Sequence, residues 1–187
     1  MITPRLKGET KVTFGPCRLS YTHLFEKYSP EGDSTNGKFM TNVLIPKSEK
    51  ETVNAINKAI EKAVEIGMVS KWGGKKPKKI DLPLRDGDEK EDDVYADNFY
   101  INAKASTRPG IVDRNVRPIT DEDDVYSGMW AIVSVTFYAY DVNGNRGIAC
   151  GLDNVMKTKD DTRLCGRSSA ESDFDGIELD DIDDDDL

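Results

Sequence analysis

Apolar and polar residues alternate along several stretches of this chain, and those stretches predict strands. Val12 and Phe14, then Cys17, Leu19 and Tyr21, fall on either side of Gly15-Pro16, a pair whose missing N–H and special backbone predict a bulge or bend. The run KFMTNVLIP places Phe39, Val43 and Ile45 on one side and Met40, Asn42 and Leu44 on the other. Ser48-x-x-Glu51 reads as a capping box. After it, Val53, Ile56, Ile60, Ala63 and Val64 recur at helical spacing until Gly67, which predicts a one-faced helix of about five turns lying across the end or flank of a sheet.

The stretch SKWGGKKPKKIDLPLRDGDEKEDD is rich in Gly, Pro and charge and reads as a long, partly mobile insertion. Alternation returns in VYADNFYINAKAS, with Phe99, Ile101 and Ala103 facing inward and Tyr100, Asn102 and Lys104 outward. The clearest strand is MWAIVSVTFYAYD, which the hairpin signal Asn143-Gly144 joins to a return strand, RGIACGLDNVMK. Several strands, one amphipathic helix and long loops predict a mainly β fold built as a small barrel rather than a βαβ sheet.

Charge divides the chain. Ten of the 35 acids follow residue 170, where no Lys or Arg stands, and the remaining 25 nearly balance the 26 bases. The net charge of −9 is therefore a property of the C-terminal segment, and it does not argue against a nucleic-acid partner for the body. Composition predicts a domain over 1–170 and a disordered acidic tail over 171–187. The length suits one domain, no apolar run approaches a membrane span, and the N-terminus lacks a secretory h-region, so the expected location is cytoplasmic.

Catalytic chemistry finds little support. His23 is the single histidine and has no nucleophile motif beside it, and the Gly pair of WGGKK lacks the Ser/Thr and the strand-to-helix setting of a phosphate loop. Cys17, Cys150 and Cys165 show no metal-ligand or disulfide spacing. The acidic runs Asp86–Asp93 and Asp121–Asp124 lack calcium-loop spacing and read as solvated loop charge. Neither a metal nor a cofactor is called for, and the expectation is a protein that is not an enzyme.

Binding residues are better represented. On the clearest strand Ala131, Val133, Val135, Phe137 and Ala139 form an apolar face, and Trp130, Ile132, Ser134, Thr136, Tyr138 and Tyr140 form the opposite one. Aromatic rings mixed with hydroxyls on a wet face suit base stacking, because every base offers a π-face. Tyr100, Asn102 and Lys104 repeat the theme. Lys71, Lys75, Lys76, Lys78 and Lys79 surround Trp72, and Arg108, Arg114 and Arg117 punctuate the loop before the main strand; such cations can track a phosphate backbone. Candidate stacking groups are Trp130, Tyr138, Tyr140, Tyr100 and Trp72, and candidate phosphate contacts are Lys104, Arg108, Arg146, Arg167, Lys75 and Lys76.

Gly128-x-Trp130, the YAYD strand, Asn143-Gly144-Asn145-x-Gly147, GLDNV, and Gly166-Arg167-Ser168-Ser169 before DFD resemble the bacteriophage and prophage single-stranded-DNA-binding proteins of OB fold. The resemblance runs through most of residues 1–175. It implies an OB-like barrel that coats single-stranded DNA without sequence preference in phage replication or recombination. It further implies an acidic C-terminus that competes with DNA and recruits replication or recombination proteins through Asp183, Asp184, Asp185, Asp186 and Leu187. Tails of the family end in Phe and this one ends in Leu187, which weakens the case for an aromatic docking tip. An oligomer is compatible with this reading. The rival reading is a DNA-mimicking interaction or inhibitor module that binds no DNA, and a small nuclease stands third.

Overall fold

Strict alternation builds the barrel wall. In β7 (Trp130–Val142) Ala131, Val133, Val135 and Phe137 are buried, while the intervening residues reach solvent to differing degrees. The computed structural model describes residues 1–30 and 36–164. Among the described residues eight strands and one α-helix stand in chain order: β1 (Arg5–Lys7), β2 (Lys11–Tyr28), β3 (Lys38–Pro46), α1 (Lys50–Ser70), β4 (Leu84–Asp86), β5 (Asn98–Ala105), β6 (Gly110–Val112), β7 and β8 (Asn145–Lys159). Cys165, the Gly166–Ser169 segment with Arg167, and the tail residues Asp183 to Leu187 lie outside the described residues.

Five strands close on themselves. The order β5-β3-β2-β7-β8 is antiparallel throughout, and β8 returns to β5 by a parallel pairing, Ala103 to Cys150 and Lys104 to Gly151. The small barrel expected is thus a closed barrel of five strands, with one helix. β2 serves both neighbours: residues 11–18 pair β7, and residues 18–28 pair β3. The bend that permits this includes the Gly15-Pro16 bulge, where the register to β7 slips. Gly15 has φ +129, and a Cβ there would come within 2.7 Å of the Ala131 carbonyl oxygen, so no larger residue fits. Asn143 and Gly144 both have positive φ, as the primed two-residue turn between β7 and β8 requires.

The helix differs from expectation at both ends. Its N-cap is Glu49, with no side-chain capping bond, so the Ser48–Glu51 box does not form. Backbone bonds take its place: Glu49 N–H donates to the Pro46 carbonyl and Lys50 N–H to that of Ser48 as the chain turns out of β3. Gly67 does not stop the helix, which runs on to Ser70. It is a contact point instead. A Cβ at Gly67 would collide with the Ala139 side chain on β7 and press on the Trp72 ring. Trp72 folds under the helix end, 5% exposed, with its backbone N–H donated to the Gly67 carbonyl at 2.9 Å and its indole Nε1 donated to the Tyr140 carbonyl at 3.1 Å. Trp72 is therefore core and cannot serve as a stacking platform, contrary to the sequence expectation.

The segment expected to be a partly mobile insertion is bonded to two strands. Asp81 forms a parallel bridge to Gly147, with its N–H donated to the Arg146 carbonyl (3.0 Å) and its carbonyl accepting from Ile148 (2.9 Å). Three residues later β4 pairs with β5. Asp86 and Asp88 both reach the Lys47 ammonium at 2.6 Å, which turns loop acids into an anchor. Tyr95 is fully buried and accepts a hydrogen bond from the Asn42 amide at 2.8 Å, so the loop covers Asn42 and Leu44 on the outer face of β3. Cys17 and Cys150 are buried free thiols, and burial pushes the Cys17 thiol up to about 12. Among the described residues, no helix is long and apolar enough to cross a membrane.

Replacing Trp72 with Ala should cost about 3–5 kcal/mol of stability in urea unfolding, as for a buried large aromatic elsewhere. Trp72→Phe should restore most of that and leave a deficit of about 1 kcal/mol for the missing N–H bond to Tyr140.

Candidate nucleic-acid interface

Register places one row of side chains across the outside of the barrel. His23 on β2 lies opposite Met40 on β3, Met40 opposite Lys104 on β5, and Lys104 beside Gly151 on β8. Their neighbours in sequence Thr41, Ala103 and Cys150 point into the core, which fixes the row on the outer face. A Cβ on Gly151 would touch the Tyr138 ring at 3.4 Å, so the ring of Tyr138 lies over β8 and continues the row onto β7. At the far end His23 stacks on Tyr28, with centroids 4.6 Å apart and planes 24° from parallel. Burial lowers the His23 pKa, which favours a neutral ring. Tyr28 lies opposite Lys38, whose ammonium donates to the Ser106 hydroxyl at 2.5 Å. The Arg108 guanidinium lies 4.0 Å from the centre of the Phe25 ring.

Where the row reaches β7 it opens into a cleft of about 340 Å³, lined by Asp81, Arg85, Asn102, Lys104, Tyr138 and Tyr140 among others. Glycine shapes it. A Cβ at Gly147 would lie 2.5 Å from the Asp81 carbonyl oxygen and 2.7 Å from the Tyr140 hydroxyl, so only glycine lets the 81–86 strap and the Tyr140 ring both approach β8. The Tyr140 hydroxyl donates to the Asp81 carboxylate at 3.3 Å, and Arg85 reaches the same carboxylate at 3.3 Å. Burial, then the Asp81 charge, raises the Tyr140 pKa, so the ring stays a neutral donor. Tyr138 is 51% exposed and offers an open π-face.

The nominated residues thus divide. Tyr138, Tyr140 and Lys104 converge on the cleft. Tyr100 lies one step along β5 from Asn102 but is half covered: it meets Tyr95 edge-on at 5.2 Å, and Lys90 stands over Tyr21, Tyr95 and Tyr100 together. Trp130 shares the outer face of β7 with Tyr138 but stands at the opposite end of the strand, where its indole Nε1 donates to Asp161 at 2.7 Å. There Arg18 bonds the Gly128 and Thr162 carbonyls and ties down the segment that leaves β8. Arg146 pairs with Asp141 at 2.7 Å, on the face opposite Tyr140. Lys75 and Lys76 are exposed in the loop beyond Trp72.

Sequence reasoning missed Arg85, Asp81, His23, Tyr28 and Lys38. The first two reach the cleft through the bridges of the strap, which carry no local pattern. Lys38 was legible, since it lies two residues before Met40 on the same face of β3, whereas Tyr28 reaches the row only through the register shifts that follow His23.

Residues 10–187 match the family model of the Enterobacter phage Enc34 ssDNA-binding protein. Protein p50 of Acyrthosiphon pisum secondary endosymbiont phage 1 is 34% identical over 180 residues, which span 90% of this chain and 95% of that relative. Among solved structures, the single-stranded DNA-binding protein from bacteriophage Enc34 in complex with ssDNA shares the fold at a TM-score of 0.71, with 23% identity over 87% of this chain and 98% of that one. The fold is also that of gp2.5, a single-stranded DNA binding protein encoded by bacteriophage T7, at a TM-score of 0.60 and 16% identity over 91% and 96% of the two chains. With nearly the whole chain matched, this protein belongs to the Enterobacter phage Enc34 ssDNA-binding protein family.

Proposed function

We propose that this protein binds single-stranded DNA, without strict sequence requirement, along the outer row from Tyr28 and His23 through Met40 and Lys104 to Tyr138, and that it does so in the host cytoplasm during phage replication or recombination. The observation that carries the proposal is the row itself: exposed rings at both ends, Lys104 between them, and a path that crosses five strands instead of following one. A strand laid across the row stacks bases on the rings and sets phosphates near Lys38, Lys104 and Arg108. Its task is binding rather than turnover. Fluorescence anisotropy with labelled single-stranded and duplex oligonucleotides tests this directly, with tighter binding of the single strand expected; equal or no binding would overturn it.

The C-terminal acids complete the proposal. Ten carboxylates tethered to a nearly neutral body stay at high local concentration and act as a weak phosphate mimic on the same face. Asp183, Asp184, Asp185, Asp186 and Leu187 then become available to replication or recombination partners when DNA displaces them.

Three outcomes are expected. With about four phosphates neutralised, log K should fall against log[salt] with a slope near −3, at about −0.7 per phosphate. A Tyr138→Ala variant should lose roughly 1–3 kcal/mol of binding while unfolding at the same urea concentration as the parent, because the ring makes none of the core. Deleting residues 171–187 should tighten single-strand binding, most at low salt where charges are least screened; equal affinities at two salt concentrations would remove the competition.

A further inference from the structure

The cleft at the end of the row carries a carboxylate, which a site meant only for phosphate would exclude. Asp81 presents its acid group beside the Arg85 guanidinium, 3.3 to 3.5 Å away, and beside the Tyr140 hydroxyl at 3.3 Å. The strap fixes its backbone to β8 at Gly147, so the acid is a built feature of the cleft. A phosphate entering here would be repelled. A base would not be, since Tyr138 offers a half-exposed ring at the same cleft.

The polar groups also have a direction. Asp81 only accepts hydrogen bonds and Arg85 only donates them, so together they complement an edge that carries a donor next to an acceptor. Asn102, in the same cleft, keeps its Oδ1 buried without a hydrogen-bond partner, a second acceptor that the fold leaves unsatisfied. Cytosine has the matching edge: an exocyclic amine for the carboxylate, flanked by a ring nitrogen and a carbonyl oxygen for the guanidinium. Adenine shows a similar amine beside a ring acceptor. Thymine and uracil place a carbonyl where the amine would be, and that oxygen would face the Asp81 carboxylate.

We infer that the cleft formed by Asp81, Arg85, Asn102 and Tyr138 is a base pocket selective for amino-bearing bases, cytosine foremost, which gives an otherwise sequence-tolerant binder a preference at one position. Asp81 is the specificity-determining residue and Lys104, at the mouth, neutralises the adjoining phosphate. This inference rests on the single-strand-binding proposal above.

Labelled dC15 and dU15 isolate the contact, because the two bases differ only in the groups at ring positions 3 and 4. The full-length protein should bind dC15 about five- to tenfold more tightly than dU15, the low end of what one good base contact discriminates. In Asp81→Ala the ratio should fall to near one, with dU15 bound at least as tightly as by the parent, since the repulsive charge is gone. Equal affinities in the parent protein, or a ratio that survives Asp81→Ala, would overturn the inference. The parent ratio decides the matter even if the variant unfolds, which its thermal midpoint would reveal. Failure to bind either oligonucleotide would instead overturn the single-strand-binding proposal.

Discussion

Closure of the barrel between β5 and β8 is the constraint on which the other features depend. These two strands share only two paired positions, Ala103 with Cys150 and Lys104 with Gly151, and beyond them they splay. Backbone groups along a buried gap need partners. The 81–86 strap supplies them, bonding β8 through Asp81 and β5 through Leu84, Arg85 and Asp86. A strap across a splayed seam cannot lie flush with the wall, so the seam becomes a cleft. The requirement that completes the fold thus also creates its most distinctive surface feature and delivers Asp81 and Arg85 to it.

Glycine positions make this closure sterically possible. Gly147 admits the strap and the Tyr140 ring to β8, and Gly151 lies under Tyr138. Both rings are thereby held over the sheet by contacts with main chain. In the proposed binding mode, rings held in place before DNA arrives would lose less conformational freedom, so more of the stacking energy would appear as affinity.

How far the sequence foretold this depended on whether a feature was local. The alternation in β7, the Gly15-Pro16 bulge and the Asn143-Gly144 turn follow from neighbouring residues, and the structure has all three. Tyr138 and Lys104 were legible as outward residues of well-patterned strands. Trp72 was not legible as core, because a tryptophan among five lysines reads as surface until Gly67, five residues earlier, is seen to leave room for it. Tyr100 and Asn42 are outward by alternation yet covered, because Tyr95 closes over them from a loop whose local sequence is acidic and polar. Trp130 shares a face of β7 with Tyr138 but stands at the other end of the strand, a distinction that periodicity alone does not make.

The charge distribution decides what kind of binder this face makes. The body before residue 171 is nearly neutral, and several of its cations already have partners: Lys47 holds Asp86 and Asp88, Arg146 holds Asp141, and Arg18 holds the segment leaving β8. Lys90 stands over three tyrosine rings. The row itself carries Lys38, Lys104 and Arg108, so in the proposed binding mode affinity leans on ring faces and base edges more than on counterion release. A face of that kind distinguishes strandedness well, because a duplex hides the very groups it contacts. Under the proposed function it would also be easily contested by a tethered acidic segment, since only a handful of cations must be neutralised to weaken its hold on the backbone. In that proposal stacking survives the competition, and DNA, which offers both bases and phosphates, would outcompete a tail that offers carboxylates alone.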